Sequence, residues 1–255
     1  MSAVFDRPYL LFIVTVVVQW GAAYAGDAVR RLWTTPAEEK RADFDLVRAA
    51  TLTLLGLIIG FTFQMAITRY DQRKTYEREE ANAIGTEYLR ADLLPAGDAD
   101  KVRTLLTKYV QQRLLFYTVD DAAALARIES ETVGLENALW QTVSRAANAN
   151  PTPPMALAVA GMNDVLNARG YTQAAWWNRI PLAAWGLMGL IAVAANLILG
   201  YGERQTDSLL LLVLPVVISI AIFLIADIDS PRGGVIRTVP QNLIALSQSL
   251  GTSNQ

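Results

Sequence analysis

Residues Ala49 to Glu80 read AATLTLLGLIIGFTFQMAITRYDQRKTYEREE, and this stretch decides the fold. The part from Ala49 to Thr68 carries no charge, whereas charged residues crowd the part from Arg69 onward. About 20 apolar residues of α-helix, at roughly 1.5 Å each, cross the hydrocarbon core of a bilayer. Because no proline interrupts the sequence from Arg69 to Leu93, the pattern predicts one helix from about Ala49 to Leu93, which leaves the membrane near Arg69.

Three further uncharged runs of similar length accompany this one. Trp20, Tyr24 and Trp185 suit the aromatic belts that mark membrane interfaces. Arg7, the apolar stretch after it and Ala23-Tyr24-Ala25 also resemble a signal peptide with a cleavage site, but we expect this segment to be retained. One such run could be a buried core helix; four are typical of an all-α integral membrane protein. The predicted transmembrane helices are 8–26, 49–68, 180–202 and 208–226.

The composition excludes several functions. The chain of 255 residues contains no cysteine and no histidine, which removes disulfides, histidine triads and the common zinc sites. The net charge is −2, so no general basic field indicates a nucleic-acid partner. Since neither a nucleophile–base pair nor a cofactor motif is visible in the sequence, we expect neither an enzyme nor a bound cofactor.

Segment 69–179, between the second and third spans, is predicted to be a helical extramembrane domain. Breaks are expected at Leu94-Pro95-Ala96-Gly97, at Thr118 to Asp121 and at Asn150 to Pro154. Asp98 or Asp100 could cap the helix after the first break, and the last helix should run from Met155 to Arg169 and end at Gly170. Residues 227–255 are left as a short tail.

The even number of spans puts both termini and segment 69–179 on one side of the membrane. Lysine and arginine near the span ends favour that side, which predicts a bacterial inner-membrane protein with its termini and helical domain in the cytoplasm. The residues on that side are Arg7, Arg69, Arg73, Lys74, Arg78, Arg169, Arg179, Arg232 and Arg237; those on the other are Arg30, Arg31, Lys40, Arg41, Arg48 and Arg204.

Small and polar residues form a stripe on the second span. Their spacing of three or four places them on one helical face, which should contact protein or water because lipid offers no hydrogen bonds. The stripe comprises Thr53, Gly56, Gly60, Gln64, Thr68 and Asp71. It could be a packing surface built on Gly56-x-x-x-Gly60, or the wall of a pore with Phe61 as a hydrophobic constriction.

Two charged regions leave alternatives open. The residues from Arg69 to Glu87 could form an exposed helix stabilised by ion pairs, or a charged vestibule. Asp227 and Asp229 close the fourth span and precede Ser230-Pro231 and Gly233-Gly234. These acids could belong to a capped turn that Arg232 holds in place, or they could bind a hard cation through oxygen ligands. We expect them at the membrane boundary, close to Arg69, Arg73 and Lys74.

Two stretches resemble a known family. GFTFQMAITRYDQRKTYEREEANAIGTEYLR, from Gly60 to Arg90, and ADIDSPRGGVIRTVPQNL, from Ala226 to Leu243, are similar to the bacterial bestrophin-like family, which is distantly similar to bestrophin ion channels. The order of spans and insert fits as well. The resemblance implies a pentamer that conducts small ions through a pore lined by the second span. It also places Asp227 and Asp229 near a calcium clasp, although this chain has a shorter tail than bestrophins. The pore-lining residues would be Gly60, Phe61, Gln64, Thr68 and Asp71.

The sequence therefore supports two possible functions. The first is a homo-oligomeric ion channel in the bilayer, and the alternative is a non-conducting scaffold or sensor whose helical domain binds a partner. Five-fold symmetry around the second span would favour the channel, and a monomer the scaffold.

Overall fold

A computed structural model describes residues 7–32, 41–202 and 210–252. In these ranges the regular structure is entirely helical. The α-helices are α1 (Pro8–Leu32), α2 (Arg41–Arg90), α3 (Ala96–Thr118), α4 (Ala122–Ala149), α5 (Pro153–Trp177), α6 (Leu182–Gly202), α7 (Leu210–Asp229) and α8 (Gln241–Thr252). The predicted boundary residues Lys40, Arg204 and Ser208 lie outside the described residues.

The long helix α2 confirms the continuity that the sequence predicts. It runs for 50 residues from Arg41 to Arg90, and a short 3-10 helix, Ala91–Leu93, follows it. Four helical segments of the described chain are long and apolar enough to cross a membrane, and they contain the four predicted spans as far as those are described. The protein is an all-α membrane protein.

The chain divides into two compact units. Unit 1 contains the described residues up to Tyr70 and from Arg179 to Arg237, and therefore holds α1, the first part of α2, α6 and α7. Its apolar core joins residues from each of these helices, including Leu11, Leu55, Met188 and Ile225.

Close packing of α1 against α6 depends on two glycines. An added Cβ at Gly26 would overlap the carbonyl oxygen of Leu197, and one at Gly200 would overlap that of Ala23. Helix backbones that approach this closely gain dispersion energy and Cα–H···O contacts, which drive association where lipid supplies no hydrophobic force. Glycine is therefore required at both positions.

Unit 2 contains residues 71–178 and the described residues from Thr238 onward, and therefore holds the end of α2, α3, α4, α5 and α8. Its core is built from fully buried side chains such as Ile84, Leu106, Leu139 and Met162. Leu243 of α8 belongs to the same core. The C-terminal segment, which the sequence suggested only as a tail, is thus a structural part of the helical unit.

A buried ion pair lies inside unit 2. Arg113 of α3 donates from Nε to Oε1 of Glu80 on α2 and from Nη2 to Oε2 at 3.3 Å. Thr172 of α5 donates its hydroxyl to the same Oε2 at 2.9 Å. Burial alone would lower the pKa of Arg113, but the adjacent Glu80 carboxylate raises it above the ordinary value. Three helices are therefore tied together by a charged group shielded from water.

Two details of the predicted helices are wrong. Helix α5 does not end at Gly170 but continues to Trp177, because Thr172, Ala175 and Trp176 are buried on its inner face. Burying these side chains outweighs the roughly 1 kcal/mol penalty of a glycine within a helix. Helix α3 begins at Ala96 after Pro95 and has no side-chain cap, so neither Asp98 nor Asp100 caps it. The Pro95 carbonyl accepts the first amide bonds instead.

Candidate functional site

The predicted stripe lies on a face of α2 that the described residues leave uncovered. Gly60, Gln64, Thr68 and Asp71 are exposed, and Phe61 is 62% exposed. At about 100° per residue, these positions fall within roughly 60° of a common direction. The opposite side of the helix is packed: Leu55, Thr62 and Ala66 are all at most 3% exposed. Helix α2 therefore has one face in the core of unit 1 and one open face.

The two glycines of the stripe make no packing contact within the described chain. An added Cβ at Gly56 or Gly60 would meet no atom within 4 Å, whereas one at Gly26 would overlap a neighbouring backbone. Within the described residues, no contact supports the packing interpretation of Gly56-x-x-x-Gly60. Both glycines therefore face open space in the described part of the chain.

Polar atoms on the open face are only partly satisfied along the helix. The Thr53 hydroxyl donates to the Ala49 carbonyl at 2.8 Å, and the Thr68 hydroxyl donates to the Gln64 carbonyl at 2.9 Å. The Gln64 amide nitrogen lies 3.5 Å from the Thr68 hydroxyl oxygen, a weak contact. A hydroxyl that donates inward keeps its acceptor lone pairs outward. The face can thus offer oxygen atoms to water or to an ion.

Beyond the predicted span, the helical positions that continue the stripe remain exposed. Asp71, Arg78, Asn82 and Thr86 are exposed there, and Leu89 is 70% exposed. The open face therefore changes from small and apolar residues to charged and polar ones as α2 enters unit 2.

One interpretation of the sequence was that the charged stretch of α2 forms an exposed helix. The structure shows instead that part of this stretch is buried. Arg73, Glu77, Glu80 and Glu87 are at most 2% exposed. Glu77 accepts hydrogen bonds from the Asn242 side-chain amide at 2.6 Å and from the Leu243 backbone amide at 2.9 Å. A carboxylate there satisfies an orphan amide and complements the positive end of the α8 dipole. Sequence spacing alone could not separate these buried acids from their exposed neighbours.

Asp227 and Asp229 lie on the last turn of α7, not in an irregular turn beyond it. The Asp227 oxygens accept from the Val235 amide at 2.7 Å and the Ile236 amide at 2.9 Å. A Cβ at Gly234 would lie 2.5 Å from the Asp227 Oδ1, so glycine is needed for this close approach. The carboxylate therefore folds the chain after α7 back onto the helix end.

Asp229 holds the backbone just before the start of α6. Its oxygens accept from the Ile180 backbone amide at 3.2 and 3.3 Å and from the Arg179 Nε at 3.1 Å. Both acids are at most 2% exposed, as expected for carboxylates with partners at a span end. The sequence predicted Arg69, Arg73 and Lys74 as these partners and did not identify Arg179.

A polar cluster that the sequence did not predict lies within unit 1. Asn196 of α6 donates to the Gln19 side-chain oxygen at 3.0 Å, and the Gln19 amide donates to the Ser219 hydroxyl at 3.1 Å. All three side chains are at most 2% exposed. They link α1, α6 and α7 inside unit 1. Each residue is isolated in its own span, so the sequence gives no signal that they meet.

The described residues do not bring together three or more acidic side chains that could hold a metal ion. At the proposed cation turn, the Asp227 and Asp229 oxygens are already engaged with amides and Arg179. This geometry is that of a carboxylate-capped turn. The capping group is Asp227, which accepts hydrogen bonds from the Val235 and Ile236 backbone amides.

Comparisons with known proteins agree with this architecture. The family model of the bestrophin-like domain matches residues 23–243. A crystal structure of a bacterial bestrophin homolog from Klebsiella pneumoniae, carrying an isoleucine-to-threonine mutation, superposes with a TM-score of 0.62 at 12% identity, covering 94% of this chain and 98% of that one. A tyrosine-to-alanine variant of the homolog gives 0.66 at 12% identity, with 96% and 98% covered.

A third solved structure, described as a membrane protein with a proline-to-alanine mutation, gives a TM-score of 0.65 at 13% identity and covers 97% of this chain and 99% of that one. No curated protein sequence matches the chain. At these identities the solved structures establish a shared fold, while the family model spans most of the sequence. The chain belongs to the bestrophin-like family.

Proposed function

We propose that the protein is a homo-oligomeric ion channel in which the open face of α2 lines a central pore. The observation that carries the proposal is the exposed stripe of Gly60, Gln64 and Thr68 on a helix whose other face is packed in unit 1. The pore-lining residues would be Gly60, Phe61, Gln64, Thr68 and Asp71.

The polar side chains on the open face of α2 favour an assembly of several copies in the bilayer. A side-chain amide or hydroxyl without hydrogen-bond partners in hydrocarbon costs several kcal/mol, so Gln64 and Thr68 should not face lipid. Four spans of one chain do not easily enclose a pore, whereas copies related by a rotation axis can each contribute one α2. Five copies are expected from the resemblance to bestrophins.

The chemistry of the face favours selection of small ions by size and hydration. Within the span it offers hydroxyl and amide oxygens but no ionised group before Asp71. Those oxygens could replace part of an ion's hydration shell, and a ring of Phe61 side chains could exclude water when narrow.

The proposed location is the bacterial inner membrane, with the termini and unit 2 in the cytoplasm. The bias of lysine and arginine toward that side supports this orientation. The charged part of α2 would then form the cytoplasmic entrance of the pore.

Ion flux through purified protein in liposomes tests the proposal. The variants Gln64→Ala and Phe61→Ala should each change conductance or ion preference. Val17→Ala is the control: Val17 is 60% exposed on α1, outside the proposed pore, and its removal should leave flux unchanged. The mass of the intact complex gives the number of copies.

The channel proposal would be refuted if the wild-type protein passed no ions at any potential or pH, or if the purified protein were a monomer. The second candidate is then a non-conducting scaffold that binds a partner. It is favoured by an apolar groove of about 690 Å³ between α4 and α5, where Trp140, Pro151, Met155 and Val159 line the wall.

A further inference from the structure

The carboxyl group of Glu87 has an unusual position at the end of α2. The side chain is fully buried, and neither oxygen has a hydrogen-bond partner among the described residues. It lies against Gly161 of α5, where an added Cβ would overlap Oε2 of Glu87 and Nη1 of Arg90. Burying an ionised carboxylate without hydrogen bonds costs far more than burying a neutral acid, so this contact favours the neutral form.

The charges around Glu87 support this assignment. Burial raises the pKa of Glu87 to about 8, Arg90 on α2 opposes this shift, and Asp164 on α5 adds to it. Among the described residues, Arg90 and Asp164 are the charged groups that act on the pKa of Glu87. Glu87 also lies in the last turn of α2, where the negative end of the helix dipole disfavours a second negative charge.

We propose that Glu87 is a proton-operated latch within unit 2. The protonated side chain holds the last turn of α2 on Gly161 of α5, and deprotonation in mildly alkaline solution releases this contact. The event is the loss of one proton from the carboxyl group to solvent. Its consequence for conduction rests on the proposed channel function, because the exposed residues Asn82, Thr86 and Leu89 lie on the same end of α2.

The direction of the pH effect follows from the raised pKa. The packed state binds the proton more tightly than the released state, in which the pKa returns toward the ordinary value of 4.5. Release is therefore favoured as the pH rises between these two values and levels off above the higher one. Linkage gives an increase of about tenfold in the release equilibrium from pH 7 to pH 9, most of it below pH 8.

Hydrogen exchange of the full-length protein in detergent measures the release. After correction for the chemical pH dependence of exchange, peptides covering 84–93 and 155–165 should lose about tenfold protection from pH 7 to pH 9. Glu87→Gln should remove this dependence, because the amide stays neutral. Asp100→Asn, which neutralises an exposed carboxyl of the same unit, should behave as wild type. Equal pH profiles in wild type and Glu87→Gln would overturn the proposal.

Ion flux in liposomes, combined with hydrogen exchange, tests the latch proposal and the channel proposal separately. Wild-type flux should change with a midpoint near pH 8, and Glu87→Gln flux should be independent of pH in this range. If no ion passes, the channel proposal fails while hydrogen exchange still decides the latch. If ions pass with the same pH dependence in both proteins, the link between latch and pore is refuted.

Discussion

Replacing Glu80 by glutamine tests how unit 2 is held together. Glu80 and Arg113 are both fully buried, so the change leaves the Arg113 guanidinium charged and without its counter-ion in the core. The Thr172 hydroxyl loses its charged acceptor as well. Removing one partner of a buried ion pair destabilises a protein by about 3–5 kcal/mol. For a domain of this size, we expect a drop of about 10 °C in the unfolding temperature.

The assay is thermal unfolding of the intact protein in detergent, followed by tryptophan fluorescence. Trp176 is a local reporter, because its ring centroid lies 4.8 Å from that of Phe116 and it is 6% exposed in the same core. Arg113→Met should destabilise in the same way as Glu80→Gln. The double variant should recover most of the loss, since no isolated charge is then buried.

An exposed ion pair provides the control. Asp92, with a side chain 73% exposed, pairs with Arg103 in the same unit. Asp92→Asn should cost at most about 1 kcal/mol, because water already screens that pair. If Glu80→Gln melts within about 2 °C of wild type, or if the double variant is no more stable than either single one, the ion-pair reasoning is refuted.

Three further outcomes are expected. Gly200→Ala should weaken the contact between α1 and α6 by about 1–3 kcal/mol in denaturant titrations, whereas Gly189→Ala, with no atom near its Cβ, should not. Glu77→Ala should increase protease cleavage near α8, because two amide donors lose their acceptor; unchanged cleavage would contradict this. Asp227→Ala should increase hydrogen exchange at residues 235–236, and unaltered protection there would show that the carboxylate does not hold that segment.

The sequence predicted the spans and the continuity of α2 well, because both depend on local features. A run without charge has few stable environments outside a bilayer, and a stretch without proline has no reason to break. The end of α5 was missed because the burial of Trp176 depends on neighbours distant in sequence. Tertiary packing of this kind overrides the local preference of Gly170.

The site was only partly predictable for a related reason. The 3–4 spacing of Gly60, Gln64 and Thr68 fixed them on one face, but only the structure shows that this face is open and that its glycines contact no neighbour. The partnership of Asp229 with Arg179, and that of Gln19 with Asn196, joins residues from separate helices. No spacing along one helix encodes such a pair.

The unbroken course of α2 restricts how this chain can change in length. The 18 positions from Gln64 to Asn82 correspond to five whole turns of an ideal α-helix, about 27 Å along its axis. Inserting a single residue near Asp71 would shift the helical positions that follow it by about 100° relative to those that precede it. Insertions and deletions between these residues should therefore be tolerated only in combinations close to whole turns. The number of residues in this part of α2 is therefore constrained as well as their chemical character.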